Sequence, residues 1–158
     1  MIRPVLVLAA ALSISAPAQS QTLGLCKDSW IGLSQIGDSI VGGRNYANGN
    51  VKLGVVDTGG EPVCCSQHLV VTVPHPERKR QCFILSANDQ AGFWGIDVSK
   101  IISEYDPAKG LLLRVPVASY DPDTGGIDRS TIRAVPMRIN QATGVVKLEQ
   151  KRLKSFKN

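Results

Sequence analysis

Asp106-Pro107-Ala108-Lys109-Gly110-Leu111-Leu112-Leu113-Arg114-Val115-Pro116-Val117-Ala118-Ser119-Tyr120-Asp121-Pro122-Asp123-Thr124-Gly125 holds the same device at both ends of an apolar run. Each end places Pro where a turn needs a fixed φ and Gly where it needs a positive one. Asn140-Gln141-Ala142-Thr143-Gly144 repeats the device without the proline. Three turns joining four apolar-rich segments predict an antiparallel meander in the last third of the chain.

Working outward, β-rich runs bounded by turn residues recur about every ten residues, the spacing of a sandwich or barrel. The predicted strands are Asn50 to Asp57, Pro62 to Val73, Gln81 to Ser86, Gly110 to Tyr120, Ser130 to Asn140 and Gly144 to Gln150, with Ile31 to Ile40 a further candidate. Pro116 and Pro136 give a ladder no donor and are expected at a sheet edge or bulge. One short helix is expected at Asp97 to Tyr105, capped by Asp97 with Val98, Ile101 and Ile102 on one face, and a strand there is the alternative. The fold class is therefore all-β, a small antiparallel sandwich or partly open barrel with a C-terminal β-meander and at most one short helix.

The N-terminus has the three-part layout of a secretory signal: Arg3, the apolar run Val5 to Ile14, and small residues Ala16-Pro17-Ala18 before a cleavage site after Ala18. That run is shorter than the ~20 residues a membrane span needs. Leu23-Gly24-Leu25-Cys26 resembles a lipoprotein processing site, but bulky Leu25 stands where a small residue belongs. The expected organisation is a signal peptide at 1–18, a flexible segment at 19–25, one β domain at 26–149 and a basic tail at 150–158. The expected compartment is periplasmic or extracellular, in a bacterial cell.

All four cysteines, Cys26, Cys64, Cys65 and Cys82, follow the signal, and an even count in an exported chain predicts two disulfides. A bond between neighbours closes a strained ring, so the expected pairing takes Cys26 to one of Cys64 and Cys65 and Cys82 to the other. A soft-metal site of Cys64, Cys65, His68 and Cys82 has suitable ligand types but is opposed by an oxidising compartment. His68 is expected in a strand near the core, and His75 in a loop.

The net charge of +5 is not a property of the folded body. Lys151, Arg152, Lys154 and Lys157 crowd the last eight residues, whereas residues 19 to 149 carry 13 basic and 13 acidic side chains. With three Tyr, three Phe and two Trp there is little to stack bases on, so nucleic acid is not the expected partner. Arg78-Lys79-Arg80 fits a solvated hairpin loop.

Val55-Val56-Asp57-Thr58-Gly59 resembles the active-site triplet of aspartic proteases. The resemblance covers five residues and implies an Asp57 that shares a proton with a second Asp, as base and acid. Gly60 stands where that family usually has Ala, Ser or Thr, and Asp-Thr-Gly-Gly recurs at Asp123 to Gly126 inside the clearest turn of the chain. A hairpin connection explains both. Asp121, Asp123 and Asp128 offer hard oxygen ligands for calcium, although Gly125 and Ile132 occupy positions where acids are wanted. Phe93 and Trp94 lie between glycines, which suits either an exposed binding loop or a buried anchor.

The leading expectation is a noncatalytic exported domain, inhibitor-like or adhesion-like, that binds another protein or an envelope component. No cofactor, membrane span or oligomeric state is implied. The alternatives are an aspartic-type hydrolase using Asp57 and a calcium-stabilised binding module.

Overall fold

The computed structural model describes residues 21–29, 40–59, 64–121, 123, 125, 126 and 132–149. Strands β1 (Thr22–Leu25), β2 (Ile40–Tyr46), β3 (Val51–Asp57), β4 (Gln67–Pro74) and β5 (Arg80–Ser86) form one antiparallel sheet in the order β1-β5-β4-β3-β2. Strands β6 (Gly95–Ile96), β7 (Ile102–Asp106), β8 (Gly110–Ala118), β9 (Ile132–Asn140) and β10 (Val145–Leu148) form the second. Its order is β10-β9-β8, and β6 and β7 share the other edge of β8. The molecule is all-β, with two antiparallel sheets.

The C-terminal meander β7-β8-β9-β10 stands as its turns predict. In the first turn, the Asp106 carboxylate accepts from the Ala108 amide at 2.8 Å and Gly110 takes φ +89°. In the last, the Asn140 carbonyl accepts from the Gly144 amide at 2.9 Å, with Gly144 at φ +71°. Both glycines adopt a conformation that a Cβ disfavours.

The pleat sends alternate side chains between the sheets. Leu53, Val55, Leu69, Val71, Phe83 and Leu85 face Leu113, Val115, Val117, Val135, Met137 and Ile139 across the main core. A second cluster on the opposite face of the first sheet joins Val56, Val70 and Ile84 to Cys26. That face explains why β4 runs Leu69-Val70-Val71 without alternating: both of its sides are buried.

Several expectations change. Thr22–Leu25, expected as a flexible segment, is an edge strand paired with β5 from Thr22↔Ser86 to Leu25↔Phe83. Its Leu23 and Leu25 pack on the main core, a stronger determinant than the short polar stretch before them. The helix expected at Asp97 to Tyr105 is a single 3-10 turn, Val98–Lys100, followed by β7. Asp97 does cap it, accepting from the Ser99 amide at 3.0 Å, but pairing with β8 wins over continued helix. Pro62 and Val63, expected to open a strand, lie outside the described residues, and β4 starts only at Gln67.

Pro116 and Pro136 sit in inner strands. Each lacks its donor on the side where a neighbour has ended, because the Pro116 carbonyl accepts from Asp97 beyond β6 and the Pro136 carbonyl from Glu149 beyond β10. The signal segment at 1–18, residues 31–39 of the Ile31 to Ile40 candidate, and the basic tail lie outside the described residues.

Candidate functional site

One end of the sandwich gathers most of the sequence-predicted chemistry. Strand β3 ends at Asp57 and the chain returns through Cys64, Cys65 and Ser66 into β4. Asp57 Oδ1 accepts from the Ser66 hydroxyl at 2.6 Å and from the Gly59 amide at 3.0 Å. The Thr58 amide closes the same connection on the Ser66 carbonyl at 3.0 Å. The Ser66 hydroxyl, aided by the Gly59 amide, Gln67 and the nearby His68, holds the Asp57 carboxyl below the usual carboxylate range against the effect of burial.

This environment differs from the one that the protease resemblance implies. Shared-proton chemistry needs a second carboxyl to push one pKa up. Among the described residues, the groups acting on Asp57 are donors and a histidine, and Asp57 serves as an ionised acceptor that clamps the β3–β4 connection.

His68, the neighbour of Gln67 in β4, is fully buried, as expected of a strand residue near the core. Its Nδ1 lies 2.8 Å from the hydroxyl of Ser86, which is itself buried at the end of β5. Burial pushes the imidazole down to about 4, outweighing the opposite pull of Asp57, so the ring is neutral at pH 7.

The cysteines depart from the expected pairing. Cys26 bonds to Cys82, with Cα atoms 5.3 Å apart, and Cys64 bonds to its neighbour Cys65. The first bond closes the second apolar cluster, where β1 and β5 are adjacent. It also makes Cys26 a disulfide partner rather than a lipid attachment point. The second is reached because Cys65 leaves extended geometry, with φ +73°. The expectation that ring strain excludes a bond between neighbours is thus overturned, at two residues that lie outside β4. With all four in disulfides, the proposed soft-metal set is not assembled.

A loop from β5 packs against this corner. The Gly92 amide donates to the Cys65 carbonyl at 2.6 Å, and Gln67 and Phe93 exchange backbone bonds of 3.1 and 2.7 Å. Phe93 is 1% exposed and belongs to the main core, where it anchors the loop. Trp94, next in sequence, is half-buried and stacks on Tyr120 with ring centroids 5.3 Å apart. The pleat thus divides the two aromatics between core and surface.

Trp94 lines a cleft of about 400 Å³ with Ile96, Pro116, Ile132, Gln67 and Asp97. Gln67 joins the two halves of the site: its backbone pairs with Phe93, and its side-chain carbonyl accepts from the Ile96 amide at 2.9 Å. Ile132 in the lining is 51% exposed, and Tyr120, the ring partner of Trp94, is 39% exposed. Sequence reasoning missed Gln67, Tyr120 and Ile132, because they come from β4, the segment after β8 and β9, with no motif spacing between them.

The third candidate is remote from chelation geometry. Asp121 Oδ1 accepts from the Asp123 amide at 2.9 Å, and Asp121 exchanges a backbone bridge with Gly126. These are turn contacts, and Asp128 lies outside the described residues. Among the described residues, no three His, Cys, Asp or Glu side chains converge as a metal site would need.

No family model, curated protein or solved structure matches the chain.

Proposed function

We propose that the chain is an exported, noncatalytic binding module that takes a protein partner at the Trp94 cleft. The observation that carries this reading is the Trp94–Tyr120 pair, whose Trp94 lines a cleft with Ile96, Pro116 and Ile132. Aromatic side chains beside an apolar recess have the composition of interface hot spots. Pro116 and the β6 backbone fix the floor, so a partner's apolar side chain enters a preformed site at low ordering cost. The signal-like N-terminus and the two disulfides favour an oxidising compartment outside the cytoplasm, where envelope proteins are the available partners. Among the described residues, no helix is long and apolar enough to cross a membrane.

The test is capture from an envelope extract by residues 19–158, by the same chain ending at Glu149, and by Trp94→Ala. One protein retained by the first two and lost with Trp94→Ala is the expected result. Equal capture by Trp94→Ala would remove the cleft from recognition, and capture lost with the tail alone would mean charge attraction.

A further inference from the structure

The two disulfides differ in what they can contribute. Cys26 and Cys82 are 56 residues apart, so their bond restricts a long stretch of the unfolded chain. Cys64 and Cys65 are adjacent, and their bond closes no chain loop. Its effect must lie in the folded conformation.

That effect is local and directional. Successive side chains of a strand point to opposite faces, so an extended backbone and a bond between neighbouring cysteines exclude one another. Cys65 accordingly sits at φ +73°, a region that non-glycine residues seldom occupy. In this orientation its carbonyl receives the Gly92 amide at 2.6 Å. The segment packs closely on this corner, since a Cβ added at Gly92 would meet the Cys65 carbonyl and His68 Nε2, each at 2.8 Å. Two residues beyond Gly92 is Trp94. Both Cys64 and Cys65 are partly exposed, whereas Cys26 is buried in its apolar cluster.

We infer that Cys64–Cys65 is a redox site for a dithiol reductant, and that its oxidation state sets the position of the Ala91–Trp94 segment. A thiolate of the dithiol attacks one cysteine sulfur, the S–S bond breaks, and the released thiolate takes up a proton. The second thiol of the reductant then displaces the remaining protein sulfur and closes its own disulfide. Two electrons and two protons pass to the protein, and the dithiol is oxidised by the same amount. Cys65, freed from the ring, turns toward extended geometry. Its carbonyl leaves Gly92, and the loop loses the first of the three backbone bonds that tie it to the start of β4.

The inference uses the Trp94 cleft only as the place where the change is read. The experiment is a titration of the full chain carrying Trp30→Phe, which leaves Trp94 as the sole tryptophan, with a small dithiol followed by alkylation and peptide mass analysis. Gly92 amide exchange is followed on the unsubstituted chain. Cys64 and Cys65 are expected to alkylate at dithiol concentrations that leave Cys26–Cys82 closed. Trp94 emission should shift to longer wavelength in step, and Gly92 exchange should rise about tenfold, as loss of one hydrogen bond implies. Reoxidation should reverse all three.

Reduction of all four cysteines together would overturn the inference. So would alkylation of Cys64 and Cys65 with Trp94 emission and Gly92 exchange unchanged. If the switch operates and Trp94→Ala still captures its partner, the binding reading fails alone.

Discussion

The Ser66 hydroxyl donates to Asp57 Oδ1 at 2.6 Å and ties the last residue of β3 to the residue before β4. A charge-assisted bond of this kind stabilises a fold by about 1.5–3 kcal/mol. Asp57→Asn keeps a weaker neutral acceptor, so it should cost about 1–2 kcal/mol in denaturant unfolding with an unchanged far-UV spectrum. Ser66→Ala should cost a similar amount. The double variant should be less destabilised than the two effects summed, because both remove one interaction. Additive effects would show that the pair is not coupled.

His68 makes stability depend on pH in a defined window. Its folded pKa is lowered to about 4 by burial, whereas the unfolded side chain titrates near 6.5. Between these values the unfolded chain binds more protons, so stability is full above about pH 6.5 and falls as the solution is acidified toward 4. The loss across that interval should be about 3 kcal/mol. Asp57, held below its ordinary value, acts in the same direction only at lower pH. His68→Gln should flatten the curve between pH 6.5 and 4. A wild-type midpoint that is constant over this interval would contradict the assignment.

Gly92 is irreplaceable for steric reasons. An added Cβ would press on the Gln67 and Cys65 carbonyls and on His68 Nε2, and the first two belong to backbone that is already hydrogen bonded. Gly92→Ala should therefore cost about 2–3 kcal/mol, near the upper end for overpacking. Gly126→Ala is the matched control, because among the described residues nothing lies within 4 Å of its added Cβ. Comparable losses in the two variants would mean that chain flexibility, not contact, sets the effect.

The meander was legible because its signals are local: Asp106, Asn140, Gly110 and Gly144 each specify their own turn. Apolar runs likewise marked β3, β5 and β8 to within a residue or two. The site was less legible. Asp57, Ser66, Gln67, His68 and Gly92 meet through strand pairing and loop packing, and no sequence spacing records that Gln67 pairs with Phe93. The cysteine pairing was misjudged for a related reason. A positive φ at Cys65 has no glycine or asparagine to announce it, so nothing in the sequence signalled the backbone that accommodates a ring judged too strained. Helix periodicity at Val98, Ile101 and Ile102 was real but too short to compete with the free edge of β8.

The contrast between the disulfides yields the remaining prediction. Cys26→Ala with Cys82→Ala removes a bond across a 56-residue separation, and chain entropy assigns such a bond about 4 kcal/mol. It also removes the covalent tie beside β1, leaving its four-residue pairing with β5 and the packing of Leu23 and Leu25 on the core. Cys64→Ala with Cys65→Ala removes no comparable restriction and lets residue 65 leave the left-handed region, so stability should change by less than about 1 kcal/mol. Denaturant unfolding of the two double variants alongside the oxidised wild type measures both. A loss at Cys64 and Cys65 equal to that at Cys26 and Cys82 would mean that the adjacent bond stabilises the fold as a conventional cross-link.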